Sequence, residues 1–311
     1  MRVLQITSMY PSPAHPYAGV FVRNQVEALE ILGVESTVRV VNGPESSWNY
    51  ARAMRDLGGW IREKPYDLLH VHQGPTGVVT FAQRRLPFVL SLYGTDVNVR
   101  WARCLSALVG LRARRVIVCS RAMARMLPGS LAPRVIPPGI DTGKFRPHDR
   151  QAARRALDIA EDETVLIFPA DPARPVKDFP LFESAANRLE VPRLRIIAFG
   201  RLAEADLPLA YSAADCVVLT SKTEGSPTVL KEALACACPV VAVDVGDVRE
   251  QLERYPGCRV VAEREPDSIA AAVTEVLASG ARPDWQRAAQ DFSVDSVAAR
   301  VLAVYREALS R

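Results

Sequence analysis

The stretch TEGSPTVLKEALACACPVVAVDVGDV, Thr223–Val248, carries two glutamates, Glu224 and Glu232, around a Gly-Ser-Pro turn. A helix-patterned segment from about Pro227 to Cys236 lies between two β-branched runs, Cys216–Thr220 and Val240–Val245. Strand, helix and strand in that order make a βαβ unit, the building block of a parallel sheet. Glu224 then falls in the loop that leaves the carboxyl end of a strand, where doubly wound sheets bind ligands. Gly225 permits close backbone approach, Ser226 and Thr228 are capping residues, and Pro227 suits the first helical position. Open amides at that helix start attract phosphate. Glu232, in the second helical turn, is placed to accept hydrogen bonds from vicinal hydroxyls such as a ribose diol. Taken alone, the two glutamates read equally well as a helix-dipole partner and a solvated helix residue.

The same alternation runs along the whole chain. Strands are expected at Arg2–Ser8, Ser36–Val41, Asp67–His72, Phe88–Tyr93, Val116–Ser120 and Arg134–Ile136, with helices at Val20–Leu32, Trp48–Glu63, Thr76–Arg85 and Val97–Arg114. A second series follows, with strands at Val165–Pro169 and Leu194–Phe199 and a helix at Phe179–Leu189. The Pro/Gly-rich piece Pro137–Pro147 between the two series is the expected linker. Two doubly wound domains account for this pattern: residues 1–145, then 146–294. The last helix, 295–311, presents Val297, Val301 and Tyr305 at four-residue spacing and is expected to dock by that face, crossing back to the first domain.

Of the 311 residues, 49% are hydrophobic and 24% charged, a composition that buries a sizeable core and excludes a disordered chain. The formal charge of +4 permits a phosphate-bearing ligand or an anionic surface without demanding either. The N-terminal apolar run breaks at Pro11, too soon for a signal peptide, and no run approaches ~18 apolar residues. A cytoplasmic location is expected. Six scattered cysteines, several inside apolar runs, read as reduced thiols used as small core residues. Neither the Cys236/Cys238 pair nor the His70/His72 pair has further ligands nearby in sequence, so no metal site is expected. Asp244 and Asp247 read as strand-end and loop residues.

EGSPTVLKEALACACPVVA resembles the E-x7-E signature of family-4 retaining glycosyltransferases, and PVVAVDVGDVRE resembles the strand and glycine loop that follow it there. The resemblance implies a GT-B fold, two Rossmann-like domains facing a central cleft. It implies that Glu224 lies by the donor sugar and its phosphate, that Glu232 holds the ribose, and that the backbone of Gly225, Ser226, Pro227 and Thr228 meets the sugar and diphosphate. In FPADPARPVKDF, Lys177 and Arg174 occupy the place of the family's diphosphate-neutralising pair, with Arg174 closer to the lysine than usual. PYAGVFVRNQVEAL resembles the first glycine loop and helix, which implies that Gly19 and Val20 lie near the leaving phosphate or the acceptor. RVIPPGIDTGKFRP resembles the family's P-N-G-V-D segment, with Pro138 in place of asparagine. LSLYGTDV resembles its His-Gly-Thr-Asp segment, with Tyr93 in place of histidine and Asp96 retained. His72, Tyr93 and Asp96 are the acceptor-side candidates, and Ala237 stands where a helix-ending glycine is usual.

The implied reaction moves a sugar from a nucleotide diphosphate sugar to a hydroxyl acceptor with retention, in polysaccharide or glycolipid synthesis. No cofactor is implied beyond the donor substrate, and the expected catalytic set is Glu224, Asp96, Arg174 and Lys177. The acceptor would be a carbohydrate or a lipid-linked molecule. Arg84, Arg85, Arg100, Arg103, Arg112, Arg114 and Arg115 cluster among Trp101, Leu105, Leu108, Val109 and Leu111, a stripe suited either to an anionic membrane face or to plain solvation. Nucleic-acid binding is not expected, since no recognised module is present. The competing reading is a nucleotide-sugar-binding protein with little transfer activity, favoured by Tyr93 and by a shortened segment between Lys177 and Tyr211. A nucleotide-sugar epimerase would want further acids and a histidine constellation.

Overall fold

The computed structural model describes residues 1–13, 15, 18–43 and 45–310, so Pro16 and Tyr17 of the glycine loop lie outside the described residues. The chain divides into two compact units, Met1–Gly139 with Val294–Arg311, and Ile140–Ser293.

The first unit runs β1 (Arg2–Thr7), α1 (Val20–Ile31), β2 (Glu35–Val40), α2 (Trp48–Glu63), β3 (Leu68–His72), a 3-10 turn (Thr76–Ala82), β4 (Phe88–Leu92), α3 (Thr95–Asn98), α4 (Arg100–Gly110), β5 (Arg115–Val118), α5 (Arg121–Met126) and β6 (Arg134–Val135). The second contains α6 (Arg150–Ala156), β7 (Thr164–Phe168), α7 (Phe179–Ala186), β8 (Leu194–Ala198), α8 (Leu207–Ala213), β9 (Cys216–Leu219), α9 (Thr228–Ala235), β10 (Val240–Val243), α10 (Val248–Leu252), β11 (Arg259–Val261), α11 (Pro266–Ser279) and α12 (Trp285–Phe292). α13 (Val294–Leu309) closes the chain and packs on α1 in the first unit.

Both sheets are parallel, in the orders β2-β1-β3-β4-β5-β6 and β11-β10-β9-β7-β8. Each is covered on both faces, which is why the strands are continuous apolar runs rather than alternating ones. In the first sheet Leu4, Ile6, Leu69, Val71 and Leu90 join α2 and α4 in one cluster, while Val3, Leu68, Val89 and Ile117 join α1 and α13 in another. In the second, Ile167, Val217 and Ala242 pack toward α8, α9 and α12, and Phe168, Val218 and Val241 toward α7 and α11.

The strand order reverses between β1 and β3 in one sheet and between β7 and β9 in the other. At such a point the loops leaving two neighbouring strands turn away from each other and open a crevice. This position, fixed by topology alone, is where each unit can receive a ligand.

The structure departs from the sequence expectation in identifiable places. The helix expected over Val97–Arg114 is broken at Val99, whose extended backbone (φ −91°, ψ 124°) separates α3 from α4. Thr76–Ala82 forms 3-10 turns rather than an α-helix. α9 begins at Thr228 with Pro227 one residue outside it, and no side chain caps its start. The helix ends in a Schellman motif: Cys238 N donates to Ala233 O (2.8 Å) and Ala237 N to Leu234 O (3.0 Å). That motif puts Ala237 at φ 56°, the left-handed region where a Cβ is strained. Replacing Ala237→Gly is therefore expected to stabilise the protein by about 0.5–1 kcal/mol, the relieved strain less the extra freedom of the unfolded chain. A higher urea midpoint checks this; a lower one contradicts it.

Candidate functional site

In the second unit the β7–β9 register, Leu166 opposite Cys216 and Ile167 opposite Val217, brings the loops after both strands to the same level. Thr220 Oγ1 lies 3.0 Å from the carbonyl oxygens of both Lys177 and Asp178, and Lys222 N donates to Val176 O (2.8 Å), so the two loops are sewn together. Lys177 Nζ then donates to Glu224 Oε1 at 2.5 Å, with only 13% of each side chain exposed. Arg264, in the loop after β11, braces the pair from behind by donating to Asp178 Oδ2 and to Ser221 O, each at 2.6 Å. Gly246 (φ 62°) lies against the same turn: a Cβ there would stand 2.8 Å from Glu224 O and 2.9 Å from Gly225 O. A side chain at 246 would push the β10–α10 loop off the Glu224–Gly225 backbone.

Gly225, Ser226 and Pro227 are buried, and Thr228 is half-buried at the start of α9. The Ser226 hydroxyl does not cap the helix; it accepts from Gln251 Nε2 (3.1 Å). Asp247 and Lys231 are buried beside it, and the Lys231 ammonium also lies 5.9 Å from the centre of the Phe292 ring. Burial raises the Asp247 carboxyl above its ordinary range, against the opposing pull of Lys231 and the hydrogen bonds of Ser226 and Gln251. These four side chains fix the turn at the helix start from inside the domain.

Glu232 is half-buried one turn into α9, with the Tyr211 hydroxyl 3.1 Å from its Oε2 and the ion pair of Lys144 and Glu204 (2.6 Å) nearby. Loss of water pushes its carboxyl up to about 7, with the Tyr211 hydroxyl and Lys144 opposing. Arg174 leaves the same loop as Lys177 but is exposed, and it takes part in no ion pair among the described residues. A concavity of about 410 Å³ beside β8, lined by Leu157, Phe179, Ile196 and Leu202, contains none of these groups.

In the first unit Gly19 begins α1 at φ 68°, where a Cβ would meet Met9 O at 2.3 Å, so the position admits only glycine. The acceptor-side candidates are committed inside the domain. Asp96 Oδ1 accepts from Gly74 N (3.0 Å) and Oδ2 from Tyr93 N (2.9 Å), which joins the loops after β3 and β4. His72 and His70 are fully buried, and burial lowers both imidazoles, His72 to about 3, so each is neutral. Their hydrogens follow from their partners. Gln5 Oε1 can only accept, so His72 Nε2 donates to it (3.0 Å) and His72 Nδ1 accepts from the Tyr93 hydroxyl (2.6 Å). Gln5 Nε2 donates to Tyr305 Oη (3.2 Å), whose hydroxyl donates to His70 Nδ1 (2.6 Å), and His70 Nε2 donates to Ser91 Oγ (2.8 Å). Ser91 bonds the Tyr93 oxygen and closes the circuit. The His-x-His pair is therefore spent on hydrogen bonds, and among the described residues no three metal-ligating side chains converge.

Sequence reasoning did not find Tyr211, Lys144, Glu204, Lys231, Asp247, Gln251 or Arg264. They lie in separate elements and carry no spacing signal until β9, β10 and β11 are paired. The Glu232 titration gives a test of the site as folded. The folded state holds this proton more tightly than an unfolded glutamate of 4.5, so the associated stability is full below that value and is lost as pH rises through about 7. Glu232→Gln cannot ionise and is expected to remove a fall on the order of 2 kcal/mol between about pH 5 and pH 8. Urea melts across that range check it; an unchanged slope in the variant contradicts the buried position of the carboxyl.

Comparison with known proteins adds the following. Residues 11–144 match the family model described as Glycosyltransferase Family 4, and residues 162–279 that described as Glycosyl transferases group 1. A D-inositol 3-phosphate glycosyltransferase of Kineococcus radiotolerans is 30% identical over 79% of this chain and 73% of its own length. The putative teichuronic acid biosynthesis glycosyltransferase TuaC of Bacillus subtilis is 25% identical over 88% of each chain. A D-inositol 3-phosphate glycosyltransferase of Geodermatophilus obscurus is 35% identical, but the match spans 48% of that relative. Among solved structures, sucrose-phosphate synthase from Thermosynechococcus elongatus superposes with TM-score 0.86 over 99% of both chains at 18% identity. Anabaena HepE in complex with UDP-glucose superposes with TM-score 0.73 at 19% identity, over 98% of this chain and 99% of its own. The two parallel-sheet α/β domains are thus those of the GT-B fold.

Proposed function

Because this chain belongs to the family-4, group 1 glycosyltransferases, we propose that it moves a sugar from a nucleotide diphosphate sugar to a hydroxyl acceptor with retention of anomeric configuration. The observation that carries the proposal is the Lys177–Glu224 pair at the β7/β9 reversal, with Glu224 in the loop that leads into α9 and Glu232 on that helix. The donor diphosphate would lie against Lys177 and the uncapped start of α9, whose open amides and partial positive charge suit phosphate. Glu232 would accept hydrogen bonds from the ribose diol, and Glu224, its negative charge balanced by Lys177, would hold the sugar. Arg174 would reach the diphosphate from the exposed side of the same loop.

The reaction is a heterolysis. The bond between the anomeric carbon and the diphosphate oxygen breaks, the acceptor oxygen attacks from the same face, and its proton passes to the departing diphosphate. No protein nucleophile or cofactor is called for. The requirement is a preorganised cation at the oxygen that gains charge, and Lys177 is held for that role by Glu224. The Tyr93 hydroxyl donates to His72, and both Asp96 oxygens accept backbone amides. Asp96 and Tyr93 would therefore act by shaping the loops after β3 and β4. The likeness to TuaC, a putative teichuronic acid biosynthesis glycosyltransferase, favours an acceptor in polysaccharide synthesis.

The same internal commitment of Tyr93 and Asp96 favours a second reading, a protein that binds nucleotide sugars with little transfer. Hydrolysis and transfer assays with UDP-, GDP- and ADP-sugars separate the two. Transfer predicts turnover with one donor class, an α- or β-anomer matching the donor by NMR, and a loss in kcat/KM of about 100-fold or more in Lys177→Ala. Glu232→Ala should weaken nucleotide binding by about tenfold or more. Tight binding without turnover on any acceptor selects the second reading, and unchanged nucleotide affinity in Glu232→Ala removes the donor-site assignment.

A further inference from the structure

From Leu68 to Ile140 the chain carries ten arginines, no lysine and no glutamate; its single carboxylate, Asp96, is buried and bonded to backbone amides. The chain as a whole is nearly balanced, with 39 basic and 35 acidic residues, so this segment concentrates its positive charge. On α4 the inward face is Ala102, Ser106, Val109 and Gly110. The opposite face leaves a ridge of large apolar side chains in solvent: Trp101 is 65% exposed, Leu108 53% and Leu111 64%, with Leu105 half-exposed between them. Arginines border the ridge. Arg100 opens the helix, and Arg112, at its other end, packs on the Phe81 ring at 5.0 Å and donates to Gln83 O (3.1 Å), which places the exposed Arg84 and Arg85 beside it. Among the described residues no carboxylate pairs with Arg84, Arg85, Arg100, Arg103 or Arg112.

We propose that this face of the first unit docks on an anionic lipid bilayer, with Trp101, Leu105, Leu108 and Leu111 entering the interface and the bordering arginines meeting lipid phosphates. A contiguous exposed apolar ridge needs a partner, and the charge around it selects which. A second copy of the chain, seated symmetrically, would set arginine against arginine with no carboxylate to compensate. Nucleic acid would satisfy the arginines and leave the leucines in water. A bilayer surface satisfies both: hydrocarbon for the ridge and negative charge for its border. Val109 is buried, and Arg115 is held by Glu307 (3.1 Å), so neither belongs to the surface. The inference stands independently of the transfer reaction.

Flotation with vesicles of equal parts phosphatidylcholine and phosphatidylglycerol, beside vesicles of phosphatidylcholine alone, tests it. Binding is expected to the anionic vesicles only, weakening with salt, with a blue shift in tryptophan emission that Trp101→Phe removes. Arg84→Gln with Arg85→Gln should lower vesicle affinity at least tenfold, at about fivefold per arginine, and Leu108→Gln with Leu111→Gln should lower it at least as much. The far-UV circular dichroism spectrum and the urea midpoint should be unchanged in both, which shows that the variants are folded. Equal binding to both vesicle types, or double variants that bind like the parent, would overturn the proposal. So would a dimer in sedimentation velocity that Leu108→Gln with Leu111→Gln converts to monomer, since that would give the ridge to a second copy.

Discussion

The parallel pairing of β7 with β9 governs the second unit. These strands are not consecutive: β8 leaves β7 on one side and β9 returns on the other, so the strand order reverses between them. Because the register sets both carboxyl ends level, the loop carrying Lys177 meets the loop carrying Glu224, and a 2.5 Å ion pair forms across the reversal. Neither residue could hold this geometry from a loop alone. The carbonyl oxygens of Lys177 and Asp178 are held by Thr220, and Asp178 is held in turn by Arg264.

Buried polar groups do different work in the two units. In the second they surround the start of α9: Ser226, Gln251, Asp247 and Lys231 lie inside the fold, where low polarity makes an unmatched charge costly. That cost ties the helix start, the β10–α10 loop and α12 to one arrangement. In the first unit six side chains, from Gln5 on β1 to Tyr305 on α13, form a closed circuit in which each group donates once and accepts once. Such a circuit needs neutral imidazoles, which burial supplies. It also ties the last helix to the loop after β4 that carries Tyr93, although more than 200 residues separate them.

How much of this was legible in the sequence depended on how local the cause is. The β-branched runs of β1, β3, β7 and β9 announced themselves because both faces of a parallel sheet are buried, and Trp48–Glu63 was legible as a helix to the residue. α11 was not found: its alanine-rich run Ile269–Val273 has little amphipathic contrast, and its helix is stabilised by packing on α7 and β10. The break at Val99 falls where the local sequence itself weakens the helix: Val97, Asn98 and Val99 are poor helix formers, and Val99 takes an extended backbone. Glu224, Glu232 and Lys177 could be picked out by the family resemblance. That Glu224 and Lys177 bond each other, and that Tyr211 and Lys144 set the environment of Glu232, are consequences of strand order that no local pattern carries.

The central claim is that Glu232 is the ribose contact of a donor site built on α9. Calorimetric titration with the nucleotide sugar selected by turnover tests it directly, because that ligand does not itself titrate near neutrality. Hydroxyl donors favour the ionised carboxylate, whose folded value lies at about 7. Binding should therefore release a proton at pH 6, weaken by up to about tenfold for each unit below pH 7, and lose that pH dependence in Glu232→Gln. Affinity that is flat with pH, with no proton released and no change in the variant, would contradict it.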